Sequence, residues 1–245
     1  MQRYFAKGKK DDSIILYDTD LHHIKNVMRY KVGDTIEVVY EKIVYLCRIT
    51  SLEPFLLETI KEYNNDSEMN IDLTIAISLV NEQKMDLILQ KLTELGVSKI
   101  IPVKTERSIV KLDANKEIKK INRWQTICKE ASEQSKRVKI PQVMPIVTIE
   151  ELSKIKNEMK LICSLDEKSQ LLSNYLRIDI NEILFVIGPE GGFTILEEKK
   201  LLENGFLPVS LGKRIMRVET AAIYAASIIN YIYEGWYYGL YYRIL

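Results

Sequence analysis

The chain has 245 residues, 47% of them apolar and 28% charged, and a formal net charge of +1. That balance fits a packed globular protein of one large or two modest domains and argues against a disordered chain. No apolar run is long enough to span a membrane, and no apolar stretch follows the basic N-terminus, so neither a membrane anchor nor a signal peptide is expected. The only histidines, His22 and His23, are adjacent. A His-based metal site or a Ser-His-Asp hydrolase needs imidazoles held by separate elements, so both are disfavoured and no metal is expected. Cys47, Cys128 and Cys163 form no CxxC pair and suit reduced thiols in the cytoplasm.

The first residues read as a small β-rich unit. Residues 13–17 form a strand candidate, and residues 20–29 show helical spacing with Leu21, Ile24, Val27 and Met28 on one face. Val32-Gly33-Asp34 marks a turn, and residues 35–40, 43–50 and 55–60 are strands rich in β-branched residues. Residues 62–68 are polar and aperiodic, and they predict a linker that divides a domain at 1–68 from one at 69–245.

Beyond that linker the rhythm alternates. Strands are predicted at 71–79, 99–103, 161–165, 183–187 and 207–211. Helices are predicted at 82–95, 114–136, 195–204 and 219–233, the first and third closed by Gly96 and Gly205. This alternation specifies an α/β domain with a mostly parallel sheet. Residues 99–139 carry twelve Lys or Arg against five Asp or Glu, an excess of seven positive charges. Such a field attracts polyanions such as RNA, although a basic helix is equally the solvated face of a Lys-rich protein. The end of the chain, with four tyrosines and a tryptophan after Tyr233, is assigned no role.

Two segments carry chemistry. Strand 183–187 runs into Gly188-Pro189-Glu190-Gly191-Gly192, at the strand end where open α/β sheets bind ligands. It is neither a GxGxxG fingerprint nor a Walker loop, which disfavours dehydrogenases and nucleoside triphosphatases; a tight turn with no ligand is the other reading. The second segment repeats the design: strand 207–211, then Gly212, a loop with Arg214 and Arg217, and a helix opened by Glu219. Either arginine suits a phosphate or a developing anion, and Arg214 suits a plain surface position better than Arg217 does.

IGPEGGF at 187–193 and LGKRIMRVETA at 211–221 together resemble the bacterial 16S ribosomal RNA (uracil-N3)-methyltransferase family, of the RsmE type, within the SPOUT superfamily. Gln2-Arg3-Tyr4-Phe5, the segment from His22 to Arg29, the Lys84–Val97 segment with Gln90-Lys91 and Glu94-Leu95-Gly96, Glu106-Arg107-Ser108 and the Arg123 to Arg137 helix extend the resemblance over residues 2–233. It implies a PUA-like β-barrel at 1–68 and a SPOUT domain at 69–245 whose C-terminal part forms a trefoil knot. It further implies S-adenosylmethionine as cofactor, a homodimer with the last helix at its interface, and 16S rRNA or the small ribosomal subunit as partner. The small residues from Ala221 to Ala226 are compatible with close approach at that interface.

By the same resemblance, the methyl donor contacts Leu165, Ile187, Gly188, Pro189, Glu190, Gly191, Gly192, Leu211, Gly212, Ile215, Met216, Arg217, Thr220 and Ala221. Arg217 is expected to stabilise charge and Glu219 to orient the base or accept its proton. Arg3, Arg29, Arg107, Arg123, Lys129, Arg137 and Lys139 are assigned to RNA. Met216 stands where the family has Leu, and Val218 where it commonly has Thr, which removes any contact of that hydroxyl. A SPOUT methyltransferase of another RNA and a non-catalytic ribosome-assembly factor are the alternatives.

Overall fold

A computed structural model of the chain describes residues 1–10, 13–108, 114–164, 169–177 and 179–237. They fall into two compact units, one of Met1–Glu68 with Ser132–Lys139, the other of Met69–Ala131 with the chain from Ile140 onward. Leu165 and the chain end from residue 238 lie outside the described residues.

In the first unit, β1 (Arg3–Phe5), β4 (Thr35–Tyr40), β5 (Ile43–Leu52) and β6 (Phe55–Asn64) form one four-stranded sheet in that order. A hairpin of β2 (Gly8–Lys10) and β3 (Ser13–Ile15) stands as a separate two-stranded sheet. Residues 62–64, expected in the linker, are the last of β6: Glu62, Tyr63 and Asn64 pair with Tyr45, Val44 and Ile43. Their polarity belongs to an edge strand, where solvent-facing side chains blunt further pairing.

The helix expected over residues 20–29 is also shorter. The α-helix α1 is Asp18–His22, and a π-turn follows at His23–Val27, with Met28 N–H donating to the His23 carbonyl at 2.9 Å. The wider turn breaks the 3.6-residue register. Ile24 stays buried, while Val27 and Met28 emerge exposed.

The late segment Ser132–Lys139 is fastened into this unit by charge. Arg3 and Glu37, both buried, pair at 3.0 Å, and Arg3 also donates to the Lys136 carbonyl. Lys136 reaches Glu37 at 3.1 Å, Asn65 donates to the Lys136 carbonyl at 3.0 Å, and Arg137 grips Glu68 at 2.6 Å. Arg3 and Arg137 therefore leave the RNA-facing set expected from sequence, because buried, paired guanidinium groups present no free charge to a phosphate.

The second unit is a parallel sheet in the order β10 (Val147–Thr148), β8 (Lys99–Lys104), β7 (Asp72–Ser78), β13 (Glu182–Ile187), β11 (Met159–Cys163), β14 (Leu207–Ser210) and β12 (Gln170–Leu171). A short strand, β9 (Gln142–Val143), also pairs with β8. Alternate residues of the central strands β7, β13 and β11 enter two separate cores. Leu73, Ile75, Ile77, Ile183, Phe185 and Ile187 pack under α2 (Glu82–Glu94), α3 (Ala114–Gln134) and α6 (Val218–Tyr237). Ala76, Leu184 and Val186 pack on the other face under α4 (Ile149–Ser153) and α5 (Ile195–Glu203). Each fully buried Leu, Ile or Phe contributes about 2 kcal/mol, so the sheet is held from both sides. Ala221, Ala222, Ala225 and Ala226 are consumed in the first of these cores and are not left as a small-residue stripe for a partner.

Burial pushes the Glu37 carboxyl up, but hydrogen bonds from Tyr63, Lys136 and Arg3 outweigh it and hold the group below the usual carboxylate value. A depressed folded value means the stabilisation is full above the unfolded value, about 4.3, and lost as pH falls through the folded one. Glu37→Gln strands Arg3 and is expected to lower stability by about 3 kcal/mol at neutral pH. Thermal unfolding from pH 7 down to pH 3 checks this, the wild-type advantage shrinking on the acid side.

Candidate active site

The site lies wholly in the second unit, where parallel pairing brings three strand ends level. Ile162 of β11 is opposite Val186 of β13, and Cys163 is opposite Val209 of β14. The chain leaving each strand therefore opens onto one edge of the sheet, and a two-lobed cleft sits there. One lobe, of about 480 Å³, is lined by Ser169, Leu171, Leu211, Gly212, Lys213 and Arg214 among others. The other, of about 270 Å³, is lined by Ile187 to Phe193, Arg107 and Glu198. Cys163, Ser164, Ile215, Met216 and Ala221 border both lobes, so the two form one cleft.

Most residues expected around the methyl donor meet here: Ile187, Gly188, Pro189, Glu190, Gly191, Gly192, Leu211, Gly212, Ile215, Met216 and Ala221. Arg217, Glu219 and Thr220 do not line it; Arg217 and Thr220 are exposed beside it. Sequence reasoning missed Cys163, Ser164, Glu198 and Ser169. Only the position of the first two at a strand end could have pointed to them.

The glycine loop is braced on several sides. A Cβ on Gly188 would stand 2.8 Å from the Phe193 ring, so only glycine leaves that ring in place. Arg107, expected on RNA, donates to the Gly191 carbonyl at 2.7 Å. Thr194 and Glu197 form a capping box at the start of α5, and Glu197 also accepts from the Glu106 N–H at 2.8 Å. Ser164 donates to Glu198 at 2.7 Å. Past β14, Gly212 turns the chain at φ +117°, a left-handed conformation that side chains resist.

Charge gathers at the end of α6 nearest the loop. Lys84 of α2 bonds Glu190 and stands 3.5 Å from Glu219 Oε2, an ion-pair distance. That oxygen is buried and has no hydrogen-bond partner among the described residues. The hydrogen bond from Lys84 holds the Glu190 carboxyl below the usual range, and the charges of Lys84 and Arg217 add to it. The bond to Glu190 likewise lifts Lys84 above the ordinary lysine value, with Glu219 contributing.

The basic stretch is less positive than its sequence. Lys99 pairs with Asp72, Lys104 with Glu117, Lys120 with Glu82, and Arg123 with both Glu82 and Asp86. Asp72, Glu82 and Asp86, from outside the stretch, thus offset part of the local excess. Of the other residues expected on RNA, Arg29 and Lys139 are exposed and Lys129 is half-buried.

Residues 67–230 match the RNA methyltransferase domain family, and residues 16–57 match the RNA methyltransferase PUA domain family. The chain is 35% identical to the ribosomal RNA small subunit methyltransferase E of Bacillus subtilis, over 94% of this chain and 96% of that protein. This chain belongs to the ribosomal RNA small subunit methyltransferase E family. A relative of the same description from Mesomycoplasma hyopneumoniae is 33% identical over 91% of this chain and 96% of its own. Among solved structures, a ribosomal RNA small subunit methyltransferase E from Neisseria gonorrhoeae bound to S-adenosyl methionine is similar at a TM-score of 0.85. Its identity is 35%, covering 95% of this chain and 98% of that one. Among the described residues no helix is long and apolar enough to cross a membrane, and no cluster of His, Cys, Asp and Glu is placed to hold a metal.

Two outcomes follow for this family member's cleft. Burial pushes the Cys163 thiol up to about 11, which keeps it protonated and a poor nucleophile at neutral pH. Iodoacetamide at pH 8 is expected to alkylate it at least ~100-fold more slowly than a free thiol, as read by mass spectrometry of the Cys163 peptide. Gly188→Ala forces the Phe193 ring aside and is expected to cost about 1–3 kcal/mol, read as a lower Tm.

Proposed function

We propose that this chain methylates N3 of a uridine in 16S ribosomal RNA of the small subunit, using S-adenosylmethionine, as a cytoplasmic homodimer. The observation that carries the reading is the cleft at the shared strand edge, in a chain of the ribosomal RNA small subunit methyltransferase E family. Its larger lobe, about 480 Å³, is by itself of the size of a small-molecule site. Leu171, Leu211, Ile215, Met216 and Ala221 offer apolar walls for a nucleoside, while the glycine loop leaves main-chain groups open to its polar edge. Ser169 Oγ, buried in the same wall, has no hydrogen-bond partner among the described residues and suits a ligand that supplies one. S-adenosylmethionine, when bound, supplies an electrophilic methyl group on a sulfonium.

The chain's own residues have three tasks. N3 lies on the pairing edge of uracil, so the base must be taken unpaired, by a surface that holds the flanking RNA. We assign RNA contacts to each unit by itself: in the first to the exposed Arg29 and Lys139, and in the second to the exposed face of α3. N3 carries a proton that must leave as the bond to carbon forms; Glu219 is assigned as the group that accepts or orients it. Arg217, exposed beside the cleft, is assigned to the negative charge that develops on the base. Holding base and methyl group in line then supplies much of the rate.

The strand order supports a knotted SPOUT topology: β13 lies between β7 and β11, and the later β14 pairs on the far side of β11. For the homodimer, Tyr224 and Tyr231, seven residues apart on one face of α6, are both exposed.

Labelled S-adenosylmethionine and unmodified small subunits test the function, the product being mapped by mass. Label on N3 of one 16S uridine is expected; label on a ribose, on another RNA or on no RNA overturns the reading. With methyl-donor affinity measured separately by calorimetry, Glu219→Gln and Arg217→Ala are each expected to lower turnover about 100-fold. Unchanged turnover removes that residue from the mechanism.

A further inference from the structure

Lys84 occupies a place that local physics disfavours. It lies in the first turn of α2, where the helix dipole is positive and a cation is unwelcome. Its backbone is fixed there, because Asn81 caps the helix by accepting from the Lys84 N–H at 3.0 Å. Met85, Ile88 and Leu89 anchor the helix in the core. A residue that breaks a local rule on a rigid element points to a compensating task elsewhere.

That task is visible at the end of the side chain. One ammonium group serves two carboxylates from separate elements: Glu190 in the glycine loop and, at 3.5 Å, Glu219 in the first turn of α6. Both acids approach the same cation, so without it two like charges would face each other. The Lys84 side chain is only 23% exposed and Glu219 14%, which sets this pair apart from the solvated ion pairs that contribute little. Helices α2 and α6 also pack directly on one another, so the bridge joins elements already in fixed register.

We propose that Lys84 is a positioning residue for methyl transfer, tying the glycine loop to the start of α6 and holding the Glu219 carboxylate in place. This rests on the assignment of Glu219 made above. Lys84 lines neither lobe of the cleft; it acts through Glu219 on transfer and through Glu190 on the loop. The two arms have separate readouts.

The experiment is a pair of double-mutant cycles on the full chain. In the first, Lys84→Met is expected to lower kcat about 100-fold, the size of loss that follows a misplaced reacting group, with KM for the RNA little changed. Lys84→Arg regains most of it, and Lys84→Met with Glu219→Gln is no slower than Glu219→Gln alone. In the second, calorimetry on the enzyme without RNA is expected to show Lys84→Met and Glu190→Gln each weakening S-adenosylmethionine binding about 10-fold, the double variant no more than either. Multiplying effects in both cycles, or Lys84→Met turnover within twofold of wild type, overturns the proposal. Should Lys84→Met not fold, Lys84→Gln takes its place in both cycles. A wild-type chain that transfers no methyl group refutes the function itself, whereas the binding cycle still decides whether Lys84 holds the loop.

Discussion

The site depends on parallel pairing among β11, β13 and β14. In a parallel sheet all carboxyl ends lie on one side, and the observed register keeps these three level within a residue or two. Cys163, Ile187 and Ser210 are therefore the last sheet residues before three loops that share a rim. The register is fixed because both faces are buried: a slip of one residue in β13 would exchange Ile183, Phe185 and Ile187 with Leu184 and Val186 between two differently shaped cores. Core packing on both faces and the placing of the cleft are one constraint.

Charge performs a different service in each unit. Around Glu37 in the first unit, Arg3 and Lys136 meet one buried carboxylate and fasten a late segment of chain, and three donors outweigh burial to hold that carboxyl below its usual value. Around Lys84 in the second unit, one ammonium group bridges Glu190 and Glu219, and Glu219 Oε2 has no hydrogen-bond donor among the described residues. The first arrangement is saturated and suits a structural joint. The second leaves one carboxylate oxygen without such a donor, on a helix that begins beside the cleft.

The α/β class and the glycine loop were legible in the sequence because each has a strong local signal. The apolar run from Ile183 to Ile187 bounded by Gly188, and the closing glycines Gly96 and Gly205, both at positive φ, needed no tertiary context. Charge was the least legible property. Arg3 and Arg137 look like free cations along the chain, but their acids, Glu37 and Glu68, lie 34 and 69 positions away. The positive stretch from Lys99 to Lys139 is offset in the same way by Asp72, Glu82 and Asp86. The π-turn at His23–Val27 escaped because a 3.6-residue period was assumed where the backbone takes a wider turn. Cys163 and Ser164 escaped because nothing beside them in the sequence marks a strand end as a cleft wall.

The first unit is discontinuous: its sheet is complete by Asn64, yet Ser132–Lys139 also belongs to it. During synthesis the N-terminal sheet emerges early with Glu37 and Glu68 lacking Lys136 and Arg137. Glu37 has Arg3 from the start, but its bond to Lys136 and the pairing of Glu68 with Arg137 wait until β7, α2, β8 and α3 have left the ribosome as well. The two units therefore mature as nested and not successive events, and the earliest part of the chain to be made is among the last to be finished.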